Sequence, residues 1–431
     1  MKKINVITLG CSKNTVDSEH LMAQLHASGY EVVADSDRTD AKVVVINTCG
    51  FIGDAKQESI DLILQATELK RLGKIEKVFV IGCLSERYAD ELREEIPEVD
   101  DYFGVKDWEG VVKALGAEYR SECETSRFLT TPKHYAYLKI AEGCNWKCGY
   151  CAIPLIRGEH VSVPMEKILQ EAKQLVEGGV KEIMVIAQDT TYYGIDLYGK
   201  RRLAELLREL CRIEGLEWIR LHYAYPTAFP EDVIRVMSEE PKICKYLDIP
   251  LQHISDNQLS AMKRRHTKRE AVELIERLRR AIPDIALRTT MLVGYPGESE
   301  EDFNELMEFV RETRFERLGV FAYSEEEGTY SALKLKDDVP QEVKEERVAR
   351  IMRLQSTISR ELNLERVGRT ERVIIDSRQG EYYVGRTQYD SPEVDCEILI
   401  PAAKRRLFKG RFYKVRILEG SEYDLYGEVV E

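Results

Sequence analysis

No apolar run in this 431-residue chain approaches the roughly 18 residues needed to cross a bilayer. The N-terminus, MKKINVITLGCSKN, has a short apolar stretch with no cleavage-like segment behind it, so it reads as a first β-strand rather than a signal peptide. A cytoplasmic protein with no membrane partner is the expectation. Positive charge is also in short supply. Lys and Arg number 63 against 76 Asp and Glu, a net charge of −13. Nucleic-acid binding rests on Lys and Arg, so a nucleic acid as main partner is disfavoured, whereas a basic protein or a small molecule suits the charge. Low-complexity segments are missing, as is any repeat beyond a βα rhythm. In the cytosol, ten cysteines read as metal ligands or reactive thiols rather than disulfides.

The pattern divides the chain into three parts. Residues 1–117 alternate β-branched runs, INVITLG (4–10), KVVVINT (42–48) and KVFVIG (77–82), with amphipathic segments. One of these is DSEHLMAQLHASG (17–29), with Asp17 or Ser18 as the predicted N-cap and Gly29 as the stop. This spacing predicts βαβ units on a parallel sheet. Residues 118–133 read as a linker. Residues 134–364 repeat the strand–helix rhythm six times and end in a long charged connector helix. Six units are too few for a closed eight-stranded barrel, so an open partial (β/α)6 barrel is predicted. Residues 365–431 switch to period two with turns, which predicts a small antiparallel β-barrel. The three parts make an α/β fold overall.

Six cysteines fall into two groups. Cys11, Cys49 and Cys83 each follow one of the first three strands. Ligand sites on open parallel sheets form beyond the carboxyl ends of the strands, so these thiols converge on one point. Buried core cysteines are an alternative reading. So is structural zinc, which requires a fourth ligand, but no His or Cys stands at a fourth strand end. Cys144, Cys148 and Cys151 lie in CNWKCGYC, spaced C-x3-C-x2-C, with no fourth cysteine close behind. The loop follows the first barrel strand, on the face where barrel enzymes work. Three thiolates can hold a 4Fe-4S cluster with one iron lacking a protein ligand, and S-adenosylmethionine can chelate that iron and be cleaved to a radical.

EGCNWKCGYCAIPLIRG resembles the cluster loop of radical S-adenosylmethionine enzymes. With the N-terminal three-cysteine part and a terminal barrel similar to the TRAM domain, the whole chain resembles the methylthiotransferases. TLGCSKNTVDSEHL, NTCGFIGDAKQESI, AQDTTYYGIDLYG, RLHYAYPTAFPEDVI, DIPLQHISDNQLSAMKRRHT and VGRTQYDSPEVD (384–395) resemble the branch that modifies an aspartate of ribosomal protein S12. The other branch modifies tRNA. Residues 366–431 carry 12 basic and 12 acidic side chains, net zero, which does not suit a tRNA grip.

The resemblance implies two 4Fe-4S clusters, one on each trio, and S-adenosylmethionine as both radical source and methyl donor. It implies methylthiolation of the aspartate β-carbon, electrons from a reductase, and a sulfur source that the sequence leaves open. Tyr150 would pack near the adenine or plug the loop from below. Gly178, Gly179 and Glu182 in EGGVKE would bind the cofactor's methionine part, or form a helix C-cap. Gly294 and Gly297 in GYPGES would touch the cofactor or make a tight turn. Gln188, Asp189, His222 and His253 are candidate substrate contacts or structural polar groups. The KRR triplets at 263–265 and 404–406 read as solvated surface.

Overall fold

A computed structural model describes residues 3–36 and 40–430. The first sheet has five parallel strands, β1 (Lys3–Thr8), β2 (Glu31–Ala34), β3 (Val43–Thr48), β4 (Lys77–Gly82) and β5 (Asp101–Tyr102), in the order β2-β1-β3-β4-β5. Helices α1 (Ser12–Ala27), α2 (Gly53–Arg71) and α3 (Cys83–Glu95) cover it. Successive side chains of a strand point to opposite faces. Val43 and Val45 therefore pack against Leu21, Met22 and Leu25 of α1, and Val44 and Ile46 against Ile63 of α2 and Leu84 of α3. A strand buried on both faces explains the unbroken VVVIN run.

Helix α1 starts five residues before the predicted Asp17. Its N-cap is Cys11, whose side chain makes no capping bond. Asp17 is buried inside the helix and pairs with Lys139 and Arg157. Gly29, at φ +87°, follows the helix end as expected.

The central sheet consists of β6 (Tyr135–Lys139), then, after a short antiparallel ribbon β7 (Ala141–Glu142) and β8 (Val161–Ser162), β9 (Glu182–Ile186), β10 (Trp218–Leu221), β11 (Ile243–Asp248), β12 (Ala286–Val293) and β13 (Arg317–Ala322). Its six strands run parallel in chain order from β6 to β13, and the two outer strands do not pair, which leaves the barrel open. Ile183, Val185, Ile219, Leu221 and Leu247 face the outer helices. The alternate residues, among them Glu182, Arg220 and Tyr246, face inward. The connector helix, Gln341–Leu364, packs on β13.

The terminal barrel is closed by β14 (Thr370–Gln379), β15 (Tyr382–Arg386), β16 (Glu397–Pro401), β17 (Phe412–Gly420) and β18 (Asp424–Val429), in the order β14-β15-β16-β18-β17. It is not wholly antiparallel as predicted, because β16 and β18 pair in parallel. Its β15–β16 loop fills the foot of the open barrel. Ser391 meets His222 at 3.1 Å, Glu393 accepts from the Tyr135 hydroxyl at 2.9 Å, and Asp395 accepts from Tyr246 at 2.8 Å and Arg288 at 2.7 Å.

The segment read as a linker is packed down. Arg127 is buried and paired with Glu19 of α1 and Glu171 of a barrel helix. Among the described residues no helix is long and apolar enough to cross a membrane.

Candidate functional site

Cys11, Cys49 and Cys83 lie together beyond the carboxyl ends of β1, β3 and β4. Gly10, at φ +96°, permits this: a β-carbon there would stand 2.9 Å from Cys49 Cβ. Burial raises the Cys49 thiol and pushes Cys83 up to about 11, and each is raised further by its neighbouring thiols. Cys11 is exposed and Cys83 buried, so the trio opens outward on one side.

The second trio sits on the loop between β7 and β8. Gly149 donates to Met262 O at 2.8 Å, and its carbonyl accepts from Ser331 N and Oγ, both at 2.9 Å. A β-carbon at Gly149 would meet Tyr295 Oη at 2.6 Å, so a larger residue at this position between the second and third thiols would have to displace the Tyr295 hydroxyl. Burial pushes Cys144 up to about 12 and raises Cys151 well above the ordinary thiol range. Arg264 Nη1 reaches Cys148 Sγ at 3.6 Å, and the Tyr225 hydroxyl lies 3.9 Å from it. Trp146 stacks on Tyr225 with centroids 4.1 Å apart and donates to Asp189 at 2.6 Å.

The two trios share a wall. Cys83 shares one small buried cluster with Val105, Ile156 and Ala152, the residue after Cys151. Arg157 then donates to Cys83 Sγ at 3.5 Å, Asn14 at 2.6 Å, Asp17 at 3.1 Å and Glu142 at 2.9 Å. Gln188 joins this network through Glu142 at 2.6 Å, and its Oε1 is buried without a partner.

The other predicted residues divide by place. Tyr150 lies against Tyr295 and its hydroxyl accepts from Arg264 at 3.5 Å, so it sits beneath the thiol loop. Gly294 and Gly297 lie in the turn that carries Tyr295. Gly294 N donates to Glu298, and Gly297 N to Asp338 at 2.8 Å. Asp189 is beside the loop, but its Oδ1 is taken by Thr191 and the Tyr225 backbone. His253 is fully buried between Glu298 and the Ser255 backbone. His222 is buried against Ser391 of the terminal barrel. Burial, reinforced by Arg220, holds it well below the usual histidine range, so it is a neutral anchor for that loop.

Gly178, Gly179 and Glu182 lie at the opposite end of the sheet from the thiol loop. Gly178 is the C-cap of the helix Met165–Glu177. Glu182 opens β9 and is paired with Arg220 at 2.9 Å and Arg386 at 2.8 Å. At that end the three residues close a helix and tie two domains together, away from the thiols. Sequence reasoning missed Arg157, Arg264, Trp146 and Asn14. All four stand within stretches that resemble the family, but only the folded chain shows them turned toward sulfur or toward one another.

Both trios are all-thiol sets, the donor chemistry of iron–sulfur ligation. Among the described residues, no group of His, Cys, Asp or Glu closes tightly enough for a single ion. Each trio has a guanidinium N–H near one sulfur, Arg157 at 3.5 Å and Arg264 at 3.6 Å, the kind of outer hydrogen bond that orients and tunes a metal ligand.

Residues 138–310 match the Radical SAM superfamily, residues 3–104 the uncharacterized protein family UPF0004, and residues 367–430 the TRAM domain. Among solved structures, the radical S-adenosylmethionine methyltransferase TsrM of Kitasatospora setae shares the fold at TM-score 0.57 and 14% identity, over 74% of this chain and 72% of that one. The cobalamin-dependent enzyme OxsB aligns at TM-score 0.53 and 13% identity, over 83% of this chain and 56% of that one. Fold and loop together define a radical S-adenosylmethionine enzyme.

The ribosomal protein uS12 methylthiotransferase RimO of Bacteroides fragilis is 56% identical over 429 residues, which is 100% of this chain and 99% of that protein. Its counterpart in Flavobacterium psychrophilum is 57% identical over 426 residues, covering 99% and 98%. The chain belongs to this methylthiotransferase family.

Proposed function

We propose that this enzyme methylthiolates the β-carbon of an aspartate in ribosomal protein uS12. The observation that carries the reading is the shared wall between the trios, where Cys83 lies in one buried cluster with Ala152 beside Cys151. A sulfur held at the N-terminal trio would then lie next to the radical-generating loop. We assign one 4Fe-4S cluster to Cys144, Cys148 and Cys151 and a second to Cys11, Cys49 and Cys83. With these groups bound, the loop cluster and S-adenosylmethionine would supply a hydrogen-abstracting radical, S-adenosylmethionine the methyl group, and the N-terminal site the sulfur to be transferred.

The chain's own residues hold and shield this chemistry. Trp146, stacked on Tyr225 and pinned by Asp189, forms an aromatic wall beside the loop. Gln188 Oε1 is a free acceptor for a substrate N–H. The net charge of −13 favours encounter with a basic ribosomal protein and argues against tRNA. A cytoplasmic location and an electron-donating reductase go with this reading.

The test is mass spectrometry of reduced, reconstituted enzyme given a uS12 loop peptide and unmodified tRNA together. A methylthio mass gain on the peptide aspartate is expected. Gain on the tRNA alone would overturn the assignment.

A further inference from the structure

Each trio has one sulfur touched by a buried guanidinium, but the two guanidiniums differ in electrostatic company. Arg157 belongs to a neutral quartet. Its charge and that of Lys139 are matched by Asp17 and Glu142, with Lys139 2.6 Å from Glu142 and paired to Asp17. Its N–H group therefore reaches Cys83 without net charge behind it. Arg264 is only 9% exposed, and among the described residues no carboxylate pairs with it. Its partners are Pro250 O at 2.6 Å, the Tyr150 hydroxyl at 3.5 Å, Cys148 Sγ at 3.6 Å and the face of Tyr225 at 4.2 Å. Its Nε is buried with no partner at all.

A buried cation without a counterion is costly. The anion within its reach is the thiolate-ligated loop site. Hydrogen bonds and positive charge at the sulfurs stabilise the more negative, reduced state of an iron–sulfur cluster and raise its potential. This builds on the two-cluster reading above.

We infer that Arg264 is a positioning residue that makes the loop site the preferred electron acceptor of the two. An electron from a low-potential one-electron donor would then rest beside Cys148 rather than at the N-terminal trio. Arg157 holds Cys83 against the shared wall and shifts its site less. A residue from a triplet that reads as surface charge thus decides where reduction occurs.

The experiment is an EPR-monitored redox titration of the full-length, reconstituted enzyme. Cys49→Ala and Cys148→Ala assign the two signals. In Arg264→Met the loop signal should titrate at a more negative potential while the N-terminal signal stays in place. Arg264→Lys, which keeps the charge, should remain near wild type. Arg157→Met should move only the N-terminal signal. An unshifted loop signal in fully loaded Arg264→Met would overturn the inference. If that variant binds half the iron, Arg264→Lys decides, and a clear fall there would assign the effect to packing and refute the charge role. A wild-type enzyme with one four-iron signal would instead remove the second cluster. The preference between two sites would fall with it, whatever Arg264→Met does to the loop signal.

Discussion

At the scale of single residues, the six thiols were legible because each stands at a fixed place in the strand rhythm. The groups that hold them were not. KRR at 263–265 has the composition of a solvated face, yet Arg264 turns inward to Cys148 while Lys263 lies over the Tyr330 ring, 3.1 Å from its centroid. Which member of a triplet is buried depends on tertiary partners that composition does not encode. On the proposed reading the two trios of thiols have different roles. Cys148→Ala should abolish both cofactor cleavage and product, whereas Cys49→Ala should keep cleavage and lose sulfur transfer, as read by 5'-deoxyadenosine release alongside peptide mass. Gly149 gives a sharper steric test, since an added β-carbon would meet Tyr295 Oη at 2.6 Å. Gly149→Ala should lower iron loading at the loop site. Adding Tyr295→Phe, which removes the clashing oxygen, should restore part of it, as measured by iron per chain.

Among the elements, the parallel strands were readable as short β-branched runs, and their order followed from the βα rhythm. The start of α1 was not, because Cys11 makes no side-chain cap and Asp17, a plausible cap by type, serves instead as a buried ion-pair partner. Glu182 misleads for a similar reason. EGGVKE resembles a binding turn, but Glu182 precedes the apolar run IMVI, which puts it at the amino end of β9, away from the ligand face of a parallel sheet. There it binds the barrel foot to the terminal domain through Arg220 and Arg386, all three side chains being essentially inaccessible. Removing one partner from such a cluster leaves uncompensated charge, at a cost of about 3–5 kcal/mol. Glu182→Ala and Glu182→Gln should therefore both lower the urea midpoint, the glutamine variant by about 1 kcal/mol less because it keeps a hydrogen-bond acceptor. Cofactor cleavage per folded molecule should be unchanged in the glutamine variant.

For the whole molecule, the sequence showed three parts but not how deeply the third enters the second. The segment VGRTQYDSPEVD stood out by resemblance, and the fold explains it physically, because its side chains fill the foot of the open barrel. Deleting residues 366–431 should thus unfold the barrel foot as well as weaken substrate capture, seen as a lower Tm and lost iron. The same junctions make the fold sensitive to acid. His20 at the packed linker, His222 at the terminal-barrel loop and His266 near Arg264 are all buried, and burial lowers each from the usual value of 6.5, His266 to about 3. The folded chain refuses protons that the unfolded chain accepts once pH falls below about 6.5. The stability these groups contribute is complete above that pH and is lost as pH falls toward their folded values. Each histidine adds about 1.4 kcal/mol per pH unit within that window. Urea unfolding should show a falling midpoint between pH 7 and pH 5. His222→Gln, which can still bond Ser391 but takes up no proton, should make that slope shallower by one proton's worth. An unchanged slope in this variant would show that His222 is not among the groups driving the loss.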